Sequence, residues 1–103
     1  MAIKEIAGLQ IETNDDGYLE NMEQWNKDVA VELAKEEGIE LTDKHFELLE
    51  FLRTKVKNGE TLTIRSIGKS GITDIKGFYK LFPGGPLKKS SKIAGIKKPS
   101  SCV

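Results

Sequence analysis

Phe82-Pro83-Gly84-Gly85-Pro86 divides the chain into two parts of different character. Proline lacks a backbone N–H and glycine is entropically costly to order, so this stretch predicts the end of the helical region. Residues 83–103 hold five lysines and no acidic side chain, and a chain terminus is usually poorly ordered. The sequence therefore predicts a core over residues 1–82 and a mobile basic arm over residues 83–103.

The arm carries the only cysteine of the chain, Cys102, one residue from the C-terminus. A free cysteine is usually a small buried hydrophobe, but the neighbours Pro99, Ser100 and Ser101 favour turns rather than burial. Two interpretations stay open: an ordinary surface cysteine, and a reactive thiol on a flexible tether. The thiolate is the nucleophilic form of cysteine, so Cys102 is the candidate catalytic residue.

The composition indicates one small domain. The chain has 103 residues, of which 38% are hydrophobic and 31% charged, enough for a modest core. No apolar run is long enough to span a bilayer, and the N-terminus lacks the features of a secretory signal. A single cysteine excludes an internal disulfide framework, which fits a cytoplasmic protein. The sequence predicts no metal site and no bound cofactor.

The charges are unevenly distributed, although the net charge is zero. Residues 1–60 carry fifteen acidic and seven basic side chains, and residues 61–103 carry one acidic and nine basic. This asymmetry indicates either an acidic partner for the second half or an arm that folds back onto the first half. The lysines that would dock such a partner are Lys88, Lys89, Lys92, Lys97 and Lys98.

The first half predicts a small β-hairpin and two helices. Short apolar segments on either side of Gly8 predict the hairpin, which must rest on the helices because a lone hairpin is marginally stable. Trp25 is expected to anchor the core, and His45 to cap or pack a helix end. The predicted caps and apolar stripes are Asn21 with Trp25, Val29 and Leu33, then Thr42 with Phe46, Leu49, Leu52 and Val56.

Two shorter helices are predicted next, joined by a glycine-containing turn. The first runs through Ile64 and Ile67. The second extends from its cap, Thr73, to Phe82, with an apolar stripe of Ile75, Phe78, Leu81 and Phe82. Such a pair is similar to a helix-turn-helix. Its outward-facing bases are Arg65, Lys69, Lys76 and Lys80. A regulatory DNA-binding module is therefore the alternative function, although a net charge of zero argues against it.

Two blocks of sequence resemble the DsrC/TusE family, which comprises partners of dissimilatory sulfite reductase and sulfur-relay proteins of transfer-RNA 2-thiouridine synthesis. They are Phe78-Tyr79-Lys80-Leu81-Phe82-Pro83-Gly84-Gly85-Pro86, and residues 92–103 with their penultimate cysteine. Weaker similarity covers most of the chain, including Leu41-Thr42-Asp43-Lys44-His45-Phe46. The resemblance implies a mostly helical α+β fold with an N-terminal hairpin, about four helices and a mobile C-terminal arm.

The same resemblance implies a function. Cys102 matches the family's cysteine that carries sulfur as a persulfide, so the chain is expected to be a sulfur carrier rather than a stand-alone catalyst. Its partners would be a sulfurtransferase donor and an acceptor enzyme, either a thiouridylase or a sulfite-reductase-like complex. Members that work with sulfite reductase have a second arm cysteine where this chain has Ser91. The choice between the two pathways stays open.

Overall fold

The computed structural model describes residues 2–97, which form a two-stranded hairpin followed by five α-helices. This confirms the predicted α+β, mostly helical class, with one helix more than expected. The elements are β1 (Ala2–Ile6), β2 (Leu9–Thr13), a 3₁₀ turn (Met22–Gln24), α1 (Lys27–Glu36), α2 (Asp43–Lys57), α3 (Ile64–Gly68), α4 (Ile75–Leu81) and α5 (Pro86–Ile93).

The hairpin is formed by β1 and β2, which pair antiparallel around a two-residue turn. Both turn residues have positive φ, 53° at Ala7 and 78° at Gly8, as the favoured two-residue hairpin turns require. Ile6 and Ile11 are buried. Lys4, opposite Ile11 in the register, forms an ion pair with Glu36 at the end of α1. The hairpin therefore rests on α1, as its small size demands.

The first helix begins later than the sequence predicts. The side chain of Asn21 caps the 3₁₀ turn instead, and the backbone of Trp25 is extended, with φ −92° and ψ 142°. Asn26 then caps α1 by accepting a hydrogen bond from the Val29 N–H at 2.9 Å. The predicted start at Asn21 is wrong because Asn26, a second capping residue, lies beside the break at Trp25. Trp25 thus stands outside the α1 stripe that contains Leu33.

The start of α2 is joined to the end of α4 by His45. Its Nδ1 accepts a hydrogen bond from the Thr42 N–H at 3.1 Å. A backbone N–H can only donate, so Nε2 carries the ring proton and donates to the Leu81 carbonyl oxygen at 2.9 Å. The imidazole also packs edge-on against Phe82, with ring centroids 5.1 Å apart. The predicted capping and packing role of His45 is confirmed.

The predicted fourth helix forms, with two corrections. Its cap is Asp74 rather than Thr73, because the Asp74 carboxylate accepts from the Gly77 N–H at 2.7 Å. Phe78 is fully buried, whereas Ile75 is 46% exposed on another face of the helix. The apolar stripe of α4 is therefore narrower than predicted, because only one face of this short helix meets the core.

Residues 83–97 differ most from the sequence-based expectation, because they form a fifth helix that belongs to the core. Gly84 and Gly85 turn the chain back, with φ of 81° and 115°. Pro86 then occupies the first helical turn, where its fixed φ suits the helix and its missing N–H is not needed. The fully buried side chains contributed by this segment include Leu87, Ile93, Ala94 and Ile96.

The core therefore continues to Ile96 and packs α5 against α1, α2 and α4. The predicted boundary after Phe82 marks the end of α4 but not the end of the core. We call residues 98–103 the tail; this remainder of the predicted arm lies outside the described residues. Its mobility stays a prediction.

Two truncations distinguish the core part of the C-terminal segment from the tail. Deleting residues 98–103 should change the free energy of unfolding by less than about 1 kcal/mol, as surface changes do. Deleting residues 93–103 also removes Ile93 and Ile96, both fully buried, and their burial contributes roughly 3–6 kcal/mol. Because small domains are stable by only about 5–15 kcal/mol, urea titration should find the longer deletion largely unfolded. Equal midpoints for the two truncated chains would contradict this account.

Candidate functional site

The candidate site is defined through the base of the tail, since Cys102 and Lys98 lie outside the described residues. Ile96 is fully buried and Lys97 is exposed, so the chain leaves the core at Lys97. Cys102 follows Lys97 by five residues. An extended chain spans at most about 3.3–3.6 Å per residue, so the Cα atom of Cys102 is within roughly 18 Å of that of Lys97 in any conformation.

Trp25 and Arg53, both from the first half of the chain, bind the backbone just before the tail. We call this pair of side chains the clamp. Trp25 Nε1 donates a hydrogen bond to the Ile93 carbonyl oxygen at 2.8 Å. Arg53 Nη1 donates to the Ala94 carbonyl oxygen and Nη2 to the Met22 carbonyl oxygen, both at 2.8 Å. The guanidinium carbon of Arg53 lies 4.3 Å from the centroid of the Trp25 ring. The clamp thus satisfies carbonyls at the end of α5 that lack helical partners.

The charge of Arg53 is buried, since the side chain is 7% exposed. Burial lowers the pKa of Arg53, and the negative charges of Glu50 and Glu23 partly oppose that effect. Arg53 was not among the residues predicted from the sequence. A signal was present, because Arg53 follows Leu49 by one helical turn and so falls in the register of the buried α2 stripe.

Ser91 occupies the position where the family resemblance places a second cysteine. It is fully buried, and its hydroxyl has no hydrogen-bond partner among the described residues. Its neighbour Ser90 is equally buried but donates to the Leu87 carbonyl oxygen at 3.2 Å. A sulfhydryl is a weaker hydrogen-bonding group than a hydroxyl, so the pocket around position 91 is better suited to sulfur or to a methyl group than to the serine it holds.

Three of the predicted docking lysines are brought together on α5. They line a cleft of about 290 Å³. Lys92 Nζ lies 3.1 Å from a carboxylate oxygen of Glu37, and each side chain is 22% exposed. This pair agrees with the expectation that the basic half folds back onto the acidic half. Lys97 does not line the cleft, whose residues are Asp16, Tyr18, Glu37, Gly84, Lys88, Lys89 and Lys92.

Tyr18 lines the same cleft and binds the backbone of α5. Apart from its position after a turn, nothing in the sequence predicted a role for it in the site. Its hydroxyl donates a hydrogen bond to the Lys88 carbonyl oxygen at 3.2 Å. Burial raises the pKa of Tyr18, and the negative charges of Asp16 and Glu37 raise it further. The phenol is therefore protonated at neutral pH and serves as a donor. The docking role of the lysines themselves stays a prediction.

Within residues 2–97, no cluster of three histidine, cysteine or acidic side chains could hold a metal ion. No helix in this part of the chain is both long and apolar enough to cross a membrane.

Comparison with known proteins relates nearly the whole chain to one family. A family model described as DsrC like protein matches residues 5–103. The chain is 40% identical over 106 residues to the sulfurtransferase TusE homolog of Haemophilus influenzae, covering 95% of this chain and 97% of that protein. It is 38% identical over 104 residues to the sulfurtransferase TusE of Escherichia coli K12, with coverage of 93% and 95%.

Solved structures agree with this relation. The fold superposes on dissimilatory sulfite reductase I (DsrI) with a TM-score of 0.85 and 33% identity, covering 99% of this chain and 100% of the other. It superposes on the oxidized gamma-subunit of the dissimilatory sulfite reductase (DsrC) from Archaeoglobus fulgidus with a TM-score of 0.81 and 33% identity, at the same coverage.

The adjacent buried serines provide a matched test of the hydroxyl at position 91. Ser91→Ala removes an unpaired buried hydroxyl, whereas Ser90→Ala removes a paired one. The gain in helix propensity is the same for both, so Ser91→Ala should be the more stable variant by about 1–3 kcal/mol. Urea unfolding of the two variants measures the difference. Equal stability would mean that the Ser91 hydroxyl is satisfied in the folded protein.

Proposed function

The chain belongs to the DsrC-like protein family, and from that membership we propose that it carries sulfane sulfur as a persulfide on Cys102. One observation carries the proposal: the only cysteine is penultimate and lies within the region that the family model matches. The similarity to TusE sulfurtransferases and to DsrC proteins extends over nearly the whole chain. It supports a carrier in a sulfur relay and does not favour a DNA-binding module built on α3 and α4.

The proposed reaction is an exchange between a thiolate and a persulfide. The Cys102 thiolate attacks the outer sulfur of a donor persulfide, R–S–SH. The bond between the two donor sulfurs breaks, a bond from Cys102 Sγ to the outer sulfur forms, and R–S⁻ leaves. In the second step an acceptor nucleophile attacks the outer sulfur of the Cys102 persulfide and releases the Cys102 thiolate. Both steps conserve electrons, so the relay needs no separate oxidant or cofactor.

A single thiol determines how the persulfide is discharged. Position 91 holds serine, so an intramolecular disulfide or trisulfide cannot form within this chain. The sulfur on Cys102 therefore leaves only to an external acceptor or reductant. This requirement suits a protein that passes sulfur between enzymes rather than one that completes a reaction alone.

The partners follow from this chemistry and from the relatives. A sulfurtransferase supplies the sulfur, and an acceptor enzyme receives it. The TusE relatives are named sulfurtransferases, and the Archaeoglobus fulgidus relative is a gamma-subunit of dissimilatory sulfite reductase. The acceptor of this chain is accordingly a thiouridylase or a sulfite-reductase-like complex, and its acidic surface would meet Lys88, Lys89, Lys92, Lys97 and Lys98. The compartment is the cytoplasm, where cysteines stay reduced.

Sulfur uptake tests the proposal directly. The full-length chain should gain the mass of one sulfur atom when it is incubated with a persulfurated donor, and a reductant should remove it. Cys102→Ser should gain none, because it removes the only thiol. Ser90→Ala, which retains that thiol, is the matched control and should react normally. Equal uptake by Cys102→Ser would exclude Cys102 as the carrier. Intact-mass spectrometry is the measurement.

Oxidation provides a second test of the single-thiol chemistry. Under a mild thiol oxidant, Cys102 can form only an intermolecular disulfide or an oxyacid of sulfur. Non-reducing electrophoresis should therefore reveal a dimer that disappears in Cys102→Ser and on addition of reductant. Ser91→Cys, which supplies a second thiol, should convert part of that dimer to an internally linked monomer if the tail reaches α5. A dimer that persists in Cys102→Ser would contradict the assignment.

A further inference from the structure

The clamp holds the chain immediately before the tail, at the last turn of α5. The ring of Trp25 is so close to the backbone that a Cβ atom at position 95 would lie 2.5 Å from its Cδ1 atom. Gly95 has φ 69°, a conformation that side-chain-bearing residues rarely adopt. With the hydrogen bonds to Ile93 and Ala94, these contacts fix the orientation of the backbone two residues before it leaves the core.

The burial of Arg53 is not explained by ion pairing. Its hydrogen bonds end on carbonyl oxygens, and among residues 2–97 no carboxylate lies within ion-pair distance of its guanidinium. Burying a charge without an ionic partner is unfavourable. A cation at the C-terminal end of a helix is, however, well placed to bind the unsatisfied carbonyls there. The burial of Arg53 is therefore explained by its hydrogen bond to the Ala94 carbonyl oxygen at the end of α5.

We propose that Trp25 and Arg53 are positioning residues that fix the base of the tail and thereby confine the Cys102 thiol to one region of the surface. The inference rests on the proposed function, because it assigns a role to the clamp only if Cys102 exchanges sulfur with partners. With the clamp in place, five residues connect the fixed base to Cys102. Donor and acceptor must then meet the thiol at the same face of the protein.

Loss of the clamp would lengthen the tether as well as redirect it. If the last turn of α5 opens as far as Ile93, the segment leading to Cys102 grows from five to nine residues. The effective concentration of a tethered group falls roughly as the −3/2 power of tether length, which is about a two-fold decrease here. The thiol would also sample directions that the fixed base excludes.

The lone cysteine allows this to be measured in the full-length chain. A nitroxide attached to Cys102 broadens the signals of nearby backbone amides in the nuclear magnetic resonance spectrum. In the unaltered protein, broadening should be strongest around residues 94–97, the 3₁₀ turn and the part of α2 near Arg53. Trp25→Phe removes only the indole donor and keeps a ring beside Arg53. Arg53→Met removes the charge but keeps a long side chain, so no unpaired buried charge is left.

Trp25→Phe and Arg53→Met should each spread the broadening over more of the surface. The ratio of the strongest to the weakest amide broadening should fall by at least about two-fold. His45→Phe is the control, because it breaks a comparable link between a side chain and a helix-end carbonyl, the one to Leu81. It should lower the melting temperature without spreading the broadening. Trp25→Phe decides the question alone if Arg53→Met does not fold.

Unchanged broadening in the folded clamp variants would overturn the inference, and so would equal spreading in His45→Phe. Sulfur uptake from glutathione persulfide by the unaltered chain is measured in parallel. Absence of uptake would refute the carrier function itself, whatever the labelled tail shows. Normal uptake with unchanged broadening would refute only the role of the clamp.

Discussion

The hydrogen bonds from Trp25 and Arg53 to the end of α5 connect the two halves of the chain. Trp25 stands between the 3₁₀ turn and α1, and Arg53 lies on α2, so residues from the first half hold the last helix. Arg53 also binds the Met22 carbonyl oxygen at 2.8 Å, which fixes the 3₁₀ turn to the same point. The buried guanidinium of Arg53 thus links the 3₁₀ turn, where the helical region begins, to the end of α5, where it ends. The contacts that complete the core therefore also hold the backbone that leads to the tail.

Under the proposed function, this arrangement affects how Cys102 would serve as a carrier. A long mobile arm from residue 83 would carry the thiol far from the core, but the core extends to Ile96 and Cys102 follows Lys97 by five residues. In the proposed relay, the thiol would depend on partners that approach the base of the tail. A short tether keeps the effective concentration of the thiol high at that face and low elsewhere. Such a tether would restrict which partners can react, since a partner must accommodate the folded core as well as the cysteine.

Local sequence signals predicted the hairpin and the first four helices, but they missed α5 and some of the boundaries. Thr42 and His45 were correctly assigned because a capping arrangement is complete within four residues. Trp25 was assigned to the first helix because its spacing with Val29 continues the apolar stripe of that helix, but its extended backbone leaves it just before α1. Pro86 was read as a helix breaker, although a proline in the first helical turn favours a helix. Whether Pro86 ends one helix or begins another depends on the burial of the residues that follow it, such as Leu87 and Ile93. No local sequence pattern reveals that burial.

The site was predictable in its chemistry and less so in its surroundings. The resemblance and the lone thiol point to Cys102, whose role stays a proposal. Arg53 shares the register of the buried α2 stripe, but its contact, like that of Tyr18, is with a backbone carbonyl distant in sequence. No side-chain pattern encodes such a contact. The charge asymmetry had two interpretations, and the Lys92–Glu37 pair shows that part of the basic charge is used within the chain. Under the proposed docking role, the electrostatic attraction left for a partner is therefore weaker than the sequence total implies, and specificity would depend more on surface shape than on charge.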